Sequence, residues 1–145
     1  MAFTDSDIRA IVATGEYTDA RALDWNTKTL IARRDRIGRA FLTGGAPLDN
    51  FRIHNGRLEF DDLAERYGFA PARQWAIHWS QFDNEAERAT AMAAESGPVI
   101  PAAVSKARPG EYLAAEITGR EAGSVTVYIR RGTDGLEVAG IDRKW

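Results

Sequence analysis

Apolar residues in the first third of the chain recur at helical spacing and predict two helices. The first covers residues 5–14 and starts directly after Thr4, which resembles a capping box together with Asp7. The second runs from residue 18 to about residue 43, where two glycines and a proline follow. Its apolar stripe consists of Leu23, Leu30, Ile37 and Phe41. The two stripes predict an amphipathic helical pair.

The pattern then changes to alternation, which is typical of strands. Asn55-Gly56 between two short alternating runs predicts a tight hairpin over residues 51–60. Asp61 is expected to cap a short helix over residues 62–67. Residues 73–84 alternate over most of their length and predict a strand. One face of this strand carries Trp75, Ile77 and Trp79, and the other carries Ala76, His78, Ser80 and Phe82.

The remaining alternating runs predict an antiparallel meander near the C-terminus. Residues 111–118, 124–131 and 136–143 alternate, and glycine-containing turns separate them. Residues 86–95 are rich in alanine, which favours a helix, but they follow a turn at Asp83-Asn84. That position favours the return strand of a hairpin, and we expect a strand there.

These elements together predict an α+β fold. An N-terminal helical pair packs on an antiparallel β-sheet or small β-sandwich, which ends in a three-stranded meander. The chain is expected to form a single domain over residues 1–145. Its helical part covers residues 1–45, and residues 50–145 are mostly antiparallel β.

Composition excludes several classes of protein and of site. The chain has 145 residues and a net charge of −2, which argues against a general nucleic-acid binder. It contains no cysteine, so it has no disulfide, thiolate metal site or cysteine nucleophile. The chain contains no run of about 18 apolar residues, so the sequence predicts no membrane span. Localisation stays open, because no targeting signal is recognisable.

The sequence predicts no catalytic, metal or cofactor site. The two histidines, His54 and His78, lack the clustered ligands that zinc requires. Ser80 shares a strand face with His78, but no residue in the pattern orients the pair as a nucleophile and base. No phosphate-binding glycine loop is present.

Aromatic residues are the most informative candidates for binding. Trp75 and Trp79 lie four residues apart and therefore share one face of the predicted strand. An exposed face would offer sugar rings or bases a stacking platform, whereas a buried face would fill the core. Ile77 between them favours the core, so His78 and Ser80 on the opposite face become the better candidates for a functional surface. Tyr112, Tyr128 and Trp145 are lesser candidates for an exposed surface.

Arginines crowd the second half of the second predicted helix. They are Arg33, Arg34, Arg36 and Arg39. A cluster of this kind can contact phosphate, a lipid headgroup or a protein partner. Arginines late in a helix also complement its dipole, and Asp35 lies among them, so we expect a solvated face with some local ion pairs.

Segments along nearly the whole chain resemble the C-terminal module of long uncharacterised bacterial proteins. The likeness is carried by residues 3–10, 17–20, 30–39, 47–51, 56–61, 81–84, 128–131 and 138–143. In that family the module follows a region with weak kinase-like features. The resemblance implies a domain of a larger polypeptide, in which any targeting segment would lie upstream of Met1, and it brings no catalytic residues.

The leading functional hypothesis is a non-enzymatic accessory or interaction module. Its partner would be another domain of the parent protein or a separate protein. One alternative is a carbohydrate-binding β module that uses Trp75 and Trp79. Another is a small hydrolase-like enzyme that uses His78 with a carboxylate.

Overall fold

A computed structural model of the chain describes residues 3–102, 108–120 and 123–144, without the side chains of residues 93–96. The helices are α1 (Asp5–Ala13), α2 (Ala20–Thr43) and α3 (Leu63–Arg66). The strands are β1 (Leu48–His54), β2 (Arg57–Asp62), β3 (Trp75–Asp83), β4 (Arg88–Ser96), β5 (Tyr112–Gly119), β6 (Ser124–Arg131) and β7 (Leu136–Lys144). This architecture confirms the predicted α+β class and the C-terminal meander. Trp145 lies outside the described residues.

Helices α1 and α2 form an antiparallel pair joined by polar contacts as well as packing. Thr4 and Asp7 make the predicted capping box at the start of α1. Helix α2 begins at Ala20, two residues later than predicted, because Asp19 is its N-cap and accepts a hydrogen bond from the backbone N–H of Arg21. Arg34 of α2 reaches across to α1, where it donates to Asp5 at 2.6 Å.

The hairpin β1–β2 forms a separate two-stranded sheet. Asn55 and Gly56 at its turn have positive φ angles of 49° and 70°, which the predicted Asn-Gly turn requires. The short helix that follows is capped by Asp62 and not by Asp61 as predicted. Asp61 instead pairs with Arg66, 2.7 Å away, and accepts a hydrogen bond from the Asn50 amide at 2.9 Å.

The other five strands form one antiparallel sheet in the order β4-β3-β5-β6-β7. The prediction that residues 86–95 form a return strand is confirmed, since β4 pairs with β3. Strands β5, β6 and β7 follow one another in space as in the chain, which is the predicted meander. Strand β3 lies between β4 and β5, so it is an interior strand.

The core lies on one face of the five-stranded sheet, and the hairpin β1–β2 covers that face. Its sheet side consists of Ile77, Trp79, Leu113, Ala115, Ile117, Val125, Val127 and Ile129. The covering layer contributes Ala46, Leu48, Leu58 and Ile100. Within the described residues, this buried cluster contains no side chain of α1 or α2. The β part is therefore a small two-layer sandwich whose core closes without the long helices.

Trp79 is the largest side chain at the centre of this core. It is 2% exposed, and its indole N–H donates to the backbone oxygen of Gly97 at 2.9 Å. The bond satisfies the only polar atom of the ring, so the tryptophan is buried without an unpaired donor.

We expect Trp79→Ala to lower the free energy of unfolding by about 3–5 kcal/mol, because it leaves a cavity and an unpaired Gly97 carbonyl. Urea denaturation followed by circular dichroism measures the change. Trp79→Phe keeps most of the ring volume and should cost less. The matched control is Trp25→Ala on α2, where the indole is 67% exposed and the expected change is within about 0.5 kcal/mol. Equal losses in the two alanine variants would contradict this account of the core.

Candidate functional site

The two tryptophans do not form an exposed platform. Trp79 lies in the core, as the Trp75–Ile77–Trp79 pattern favours, and offers no ring face to a ligand. Trp75 is half-buried at the start of β3, and its indole N–H donates to Asp62 Oδ2 at 3.2 Å. The guanidinium of Arg73 stacks on the Trp75 ring, 5.0 Å from its centroid. A platform that needs both rings is therefore not available on this surface.

Asp62 is the centre of the polar cluster around Trp75. Its carboxylate accepts two hydrogen bonds from Arg73, each 2.8 Å long, and also caps α3 through the backbone N–H of Ala64. Burial of Asp62 raises the pKa of its carboxyl group, but the hydrogen bonds and charge of Arg73 and the capping N–H groups outweigh burial and leave the pKa lowered. The cluster joins β2, α3 and β3, so its contacts stabilise the packing of these three elements.

A cleft of about 750 Å³ lies beside this cluster, at the edge of the Trp75 ring. It is lined by Arg73, Gln74, Trp75, Ala76, Thr118, Gly119 and Arg120. Gly119 lies directly opposite Trp75 on β5, and a Cβ added there would come within 2.6 Å of the indole. Trp75 and Arg73 are thus already engaged within the chain, and among the described lining residues only Arg120 brings an exposed charge to the cleft.

His78 and Ser80 lie on the outward face of the five-stranded sheet, opposite the core. His78 is exposed, and Glu116 lies directly across from it on β5. Ser80 is half-buried and pairs with Ala114. No hydrogen bond joins His78, Ser80 and Glu116, so the nucleophile–base contact of a hydrolase is not formed among these described side chains. The structure places the residues on one open face without assembling them.

Three aromatic residues meet at one end of the same outward face. Phe82 pairs with Tyr112 across β3 and β5, and its ring centroid lies 4.6 Å from that of Tyr128 on β6. Ala114 on the intervening strand is small, which leaves room for the two rings to meet. Tyr112 and Tyr128 were only lesser candidates from the sequence, because alternation fixes the face of each strand but not which residues of different strands become neighbours.

These rings and the adjacent turn form a hollow of about 560 Å³, here called the aromatic hollow. It is lined by Phe82, Asn84, Glu87, Tyr112, Tyr128, Ala139 and Gly140. All three rings are half-buried, so each leaves part of its surface open to solvent. A shallow, partly aromatic depression with a carboxylate and an amide at its rim is a candidate small-ligand site.

A second candidate surface lies on helix α2. Leu30, Ile37 and Phe41 are 44%, 57% and 74% exposed. Spacings of seven and four residues place the three side chains within about 40° of one another around the helix axis, because each residue turns the helix by about 100°. They form the α2 stripe, an apolar face left uncovered by the described part of the chain.

Basic side chains border the α2 stripe. Arg33 lies three residues after Leu30 and four before Ile37, so it stands at the edge of the stripe, and Arg36 follows further round the helix. Both are exposed, and neither makes an ion pair with another described residue. By contrast, Arg34 is held by Asp5 and Asp35, an arrangement that raises its pKa mainly through hydrogen bonds to those two carboxylates. The expected solvated arginine face is therefore only partly paired.

Comparisons with known proteins identify no relative. No family model matches the chain, and neither curated proteins nor solved structures yield a significant match.

Among the described residues no group of three or more His, Asp or Glu side chains has the arrangement of a metal site. No helix in the described ranges combines the length and apolar character needed to cross a bilayer.

Asp62→Asn should lower the free energy of unfolding at pH 7 by about 1.5–3 kcal/mol, because it removes the charged partner of Arg73 but retains a capping side chain. The difference in free energy of unfolding between the wild type and Asp62→Asn should be complete well above the unfolded-state pKa of Asp62, which is 3.8. It should disappear as the pH falls through the lower pKa that Asp62 has in the folded protein. Urea denaturation of both proteins between about pH 3 and 7 measures it. A difference that stays constant as pH falls would contradict the assignment to the Asp62 charge.

Proposed function

We propose that this chain is a non-enzymatic interaction module that binds an acidic amphipathic helical segment along α2. The observation that carries the proposal is the α2 stripe, in which three large apolar side chains are between 44% and 74% exposed. Single exposed apolar residues are normal, but three aligned ones on one long helix are typical of a docking face. A partner helix would bury the stripe with apolar side chains at matching spacing.

Charge supports the acidic character of the partner. Helix α2 contains five arginines and one lysine against two aspartates, within a chain whose net charge is −2. The basic excess is therefore local to this helix. Arg33 at the edge of the stripe and Arg36 further round the helix have no described ion-pair partner. Carboxylates flanking the apolar positions of a partner helix would pair with them, which favours association and orients the partner.

A protein segment fits this surface better than a lipid bilayer. The chain outside α2 carries the acidic excess, and an anionic lipid surface would repel it. A partner helix, in contrast, contacts only one face of α2, which is 24 residues and about 36 Å long. The resemblance to a C-terminal module of larger bacterial proteins supports the same reading, because a neighbouring domain of the parent protein is one source of such a segment.

We expect the protein to bind a synthetic helical peptide of about 20 residues with leucines at heptad spacing and flanking glutamates. Fluorescence anisotropy measures the affinity. Phe41→Ala and the double charge reversal Arg33→Glu/Arg36→Glu should each weaken binding about tenfold, which corresponds to about 1.4 kcal/mol. Added salt should also weaken it, because exposed ion pairs are screened. The matched control is Lys28→Glu, a charge reversal on the opposite side of α2.

Three outcomes would contradict the proposal. One is equal binding of a peptide in which lysines replace the glutamates. Another is a concentration-dependent dimer in analytical ultracentrifugation that Phe41→Ala dissociates, which would assign the stripe to a second copy of the chain. The third is cosedimentation with vesicles of phosphatidylserine and phosphatidylcholine that Arg33→Glu/Arg36→Glu abolishes, without any binding of the glutamate peptide.

A further inference from the structure

The aromatic hollow is separate from the α2 stripe and has the features of a built site. Its floor consists of the rings of Phe82, Tyr112 and Tyr128, which three different strands bring together. The rings of Phe82 and Tyr128 contact each other, with centroids 4.6 Å apart and planes tilted by 50°. All three aromatic residues are only half-buried, so a flat ligand ring can lie against the aromatic surface that remains exposed.

The opposite wall of the hollow is open because Gly140 carries no side chain. Gly140 lies directly across from Tyr128 on β7, and a Cβ added there would be 3.7 Å from the Tyr128 ring, an ordinary van der Waals distance. The backbone of Gly140 is outside the left-handed region, so the glycine is not required by conformation. The absence of a side chain at Gly140 leaves space beside the Tyr128 ring, which a larger residue at this position would occupy.

The turn between β3 and β4 supplies the polar rim of the hollow. Asp83 accepts hydrogen bonds from the backbone N–H groups of Glu85 and Ala86, at 3.1 and 3.0 Å, which fixes the turn. Glu87 has a φ of 49°, a left-handed conformation that glycine adopts more readily than glutamate. A glutamate at that position supplies a carboxylate at the rim in place of a residue better suited to the turn, and Asn84 adds an amide.

We infer that the aromatic hollow binds an uncharged pyranose ring of an oligosaccharide. The apolar C–H face of such a ring stacks on aromatic side chains, and its hydroxyl groups hydrogen-bond to carboxylate, amide and phenol groups. Glu87 repels ligands that carry carboxylates, and the net charge of −2 opposes nucleic acid. The carbohydrate site thus lies on the outward face that carries His78 and Ser80, and not at Trp75 and Trp79.

Titration of the full chain with maltotetraose, cellotetraose and N,N′,N″,N‴-tetraacetylchitotetraose tests the inference, with tetragalacturonate as the acidic probe. Saturation-transfer difference NMR and calorimetry measure binding. At least one neutral oligosaccharide should bind with a dissociation constant of about 0.1–1 mM. Tetragalacturonate should bind at least about tenfold more weakly, because its carboxylates face Glu87.

Three variants separate loss of the site from loss of the fold. Phe82→Ala removes part of the floor and should weaken binding about tenfold or more. Gly140→Val fills the open wall with a residue that strands favour, so it should abolish binding while the unfolding midpoint is kept or raised. Glu87→Gly relieves the left-handed conformation and should weaken binding without loss of stability. The matched control, Trp25→Ala on α2, where the indole is 67% exposed, should leave oligosaccharide affinity unchanged.

Several results would overturn the inference. Absence of binding by all three neutral oligosaccharides up to about 10 mM would do so. So would binding that survives in Gly140→Val, or a preference for tetragalacturonate. Because the peptide-binding test uses residues of α2 and this test uses residues of β3, β5, β6 and β7, failure of one leaves the other intact.

Discussion

The fold depends on how the β1–β2 hairpin is held over the inner face of the five-stranded sheet. Apolar contact supplies most of the stabilisation, with Trp79 at its centre. Two polar ties at the base of the hairpin fix its position. Asp62 at the end of β2 binds Arg73 and Trp75, and Arg143 of β7 donates to the backbone oxygen of Leu48 and contacts Asp49. Because Leu48 and Asp62 are paired across the hairpin, both ties act at the same place.

This arrangement explains why two different surfaces are left open. Since the hairpin and the residues around Ile100 close the core, neither the α2 stripe nor the outward face of the sheet is used as cover. An apolar helix face and a partly aromatic sheet face therefore both reach solvent. The two proposals follow from this one architectural fact, but they concern separate surfaces and different chemistry.

Much of the fold was predictable because local patterns determine local structure. The capping box, the Asn-Gly turn and the alternation of β3 each act within a few residues, and each element formed where expected. Residues 86–95 form a return strand, as the preceding turn predicts, although their alanine-rich composition favours a helix. The cap of α3 was misplaced by one residue, because Asp61 and Asp62 are equivalent in sequence and only their partners, Arg66 and Arg73, distinguish them.

The sequence by itself determined the order of elements, the α+β class and the face on which each residue of β3 lies. It placed Trp79 on the apolar face and His78 and Ser80 on the other. Only the tertiary structure decided that the hairpin covers the core and that Asp62 holds the hairpin in place through Arg73 and Trp75. It also decided that Phe82, Tyr112 and Tyr128 meet. The physical reason is that a period of two assigns faces within one strand, whereas neighbours across strands depend on register and on small residues such as Ala114 and Gly140.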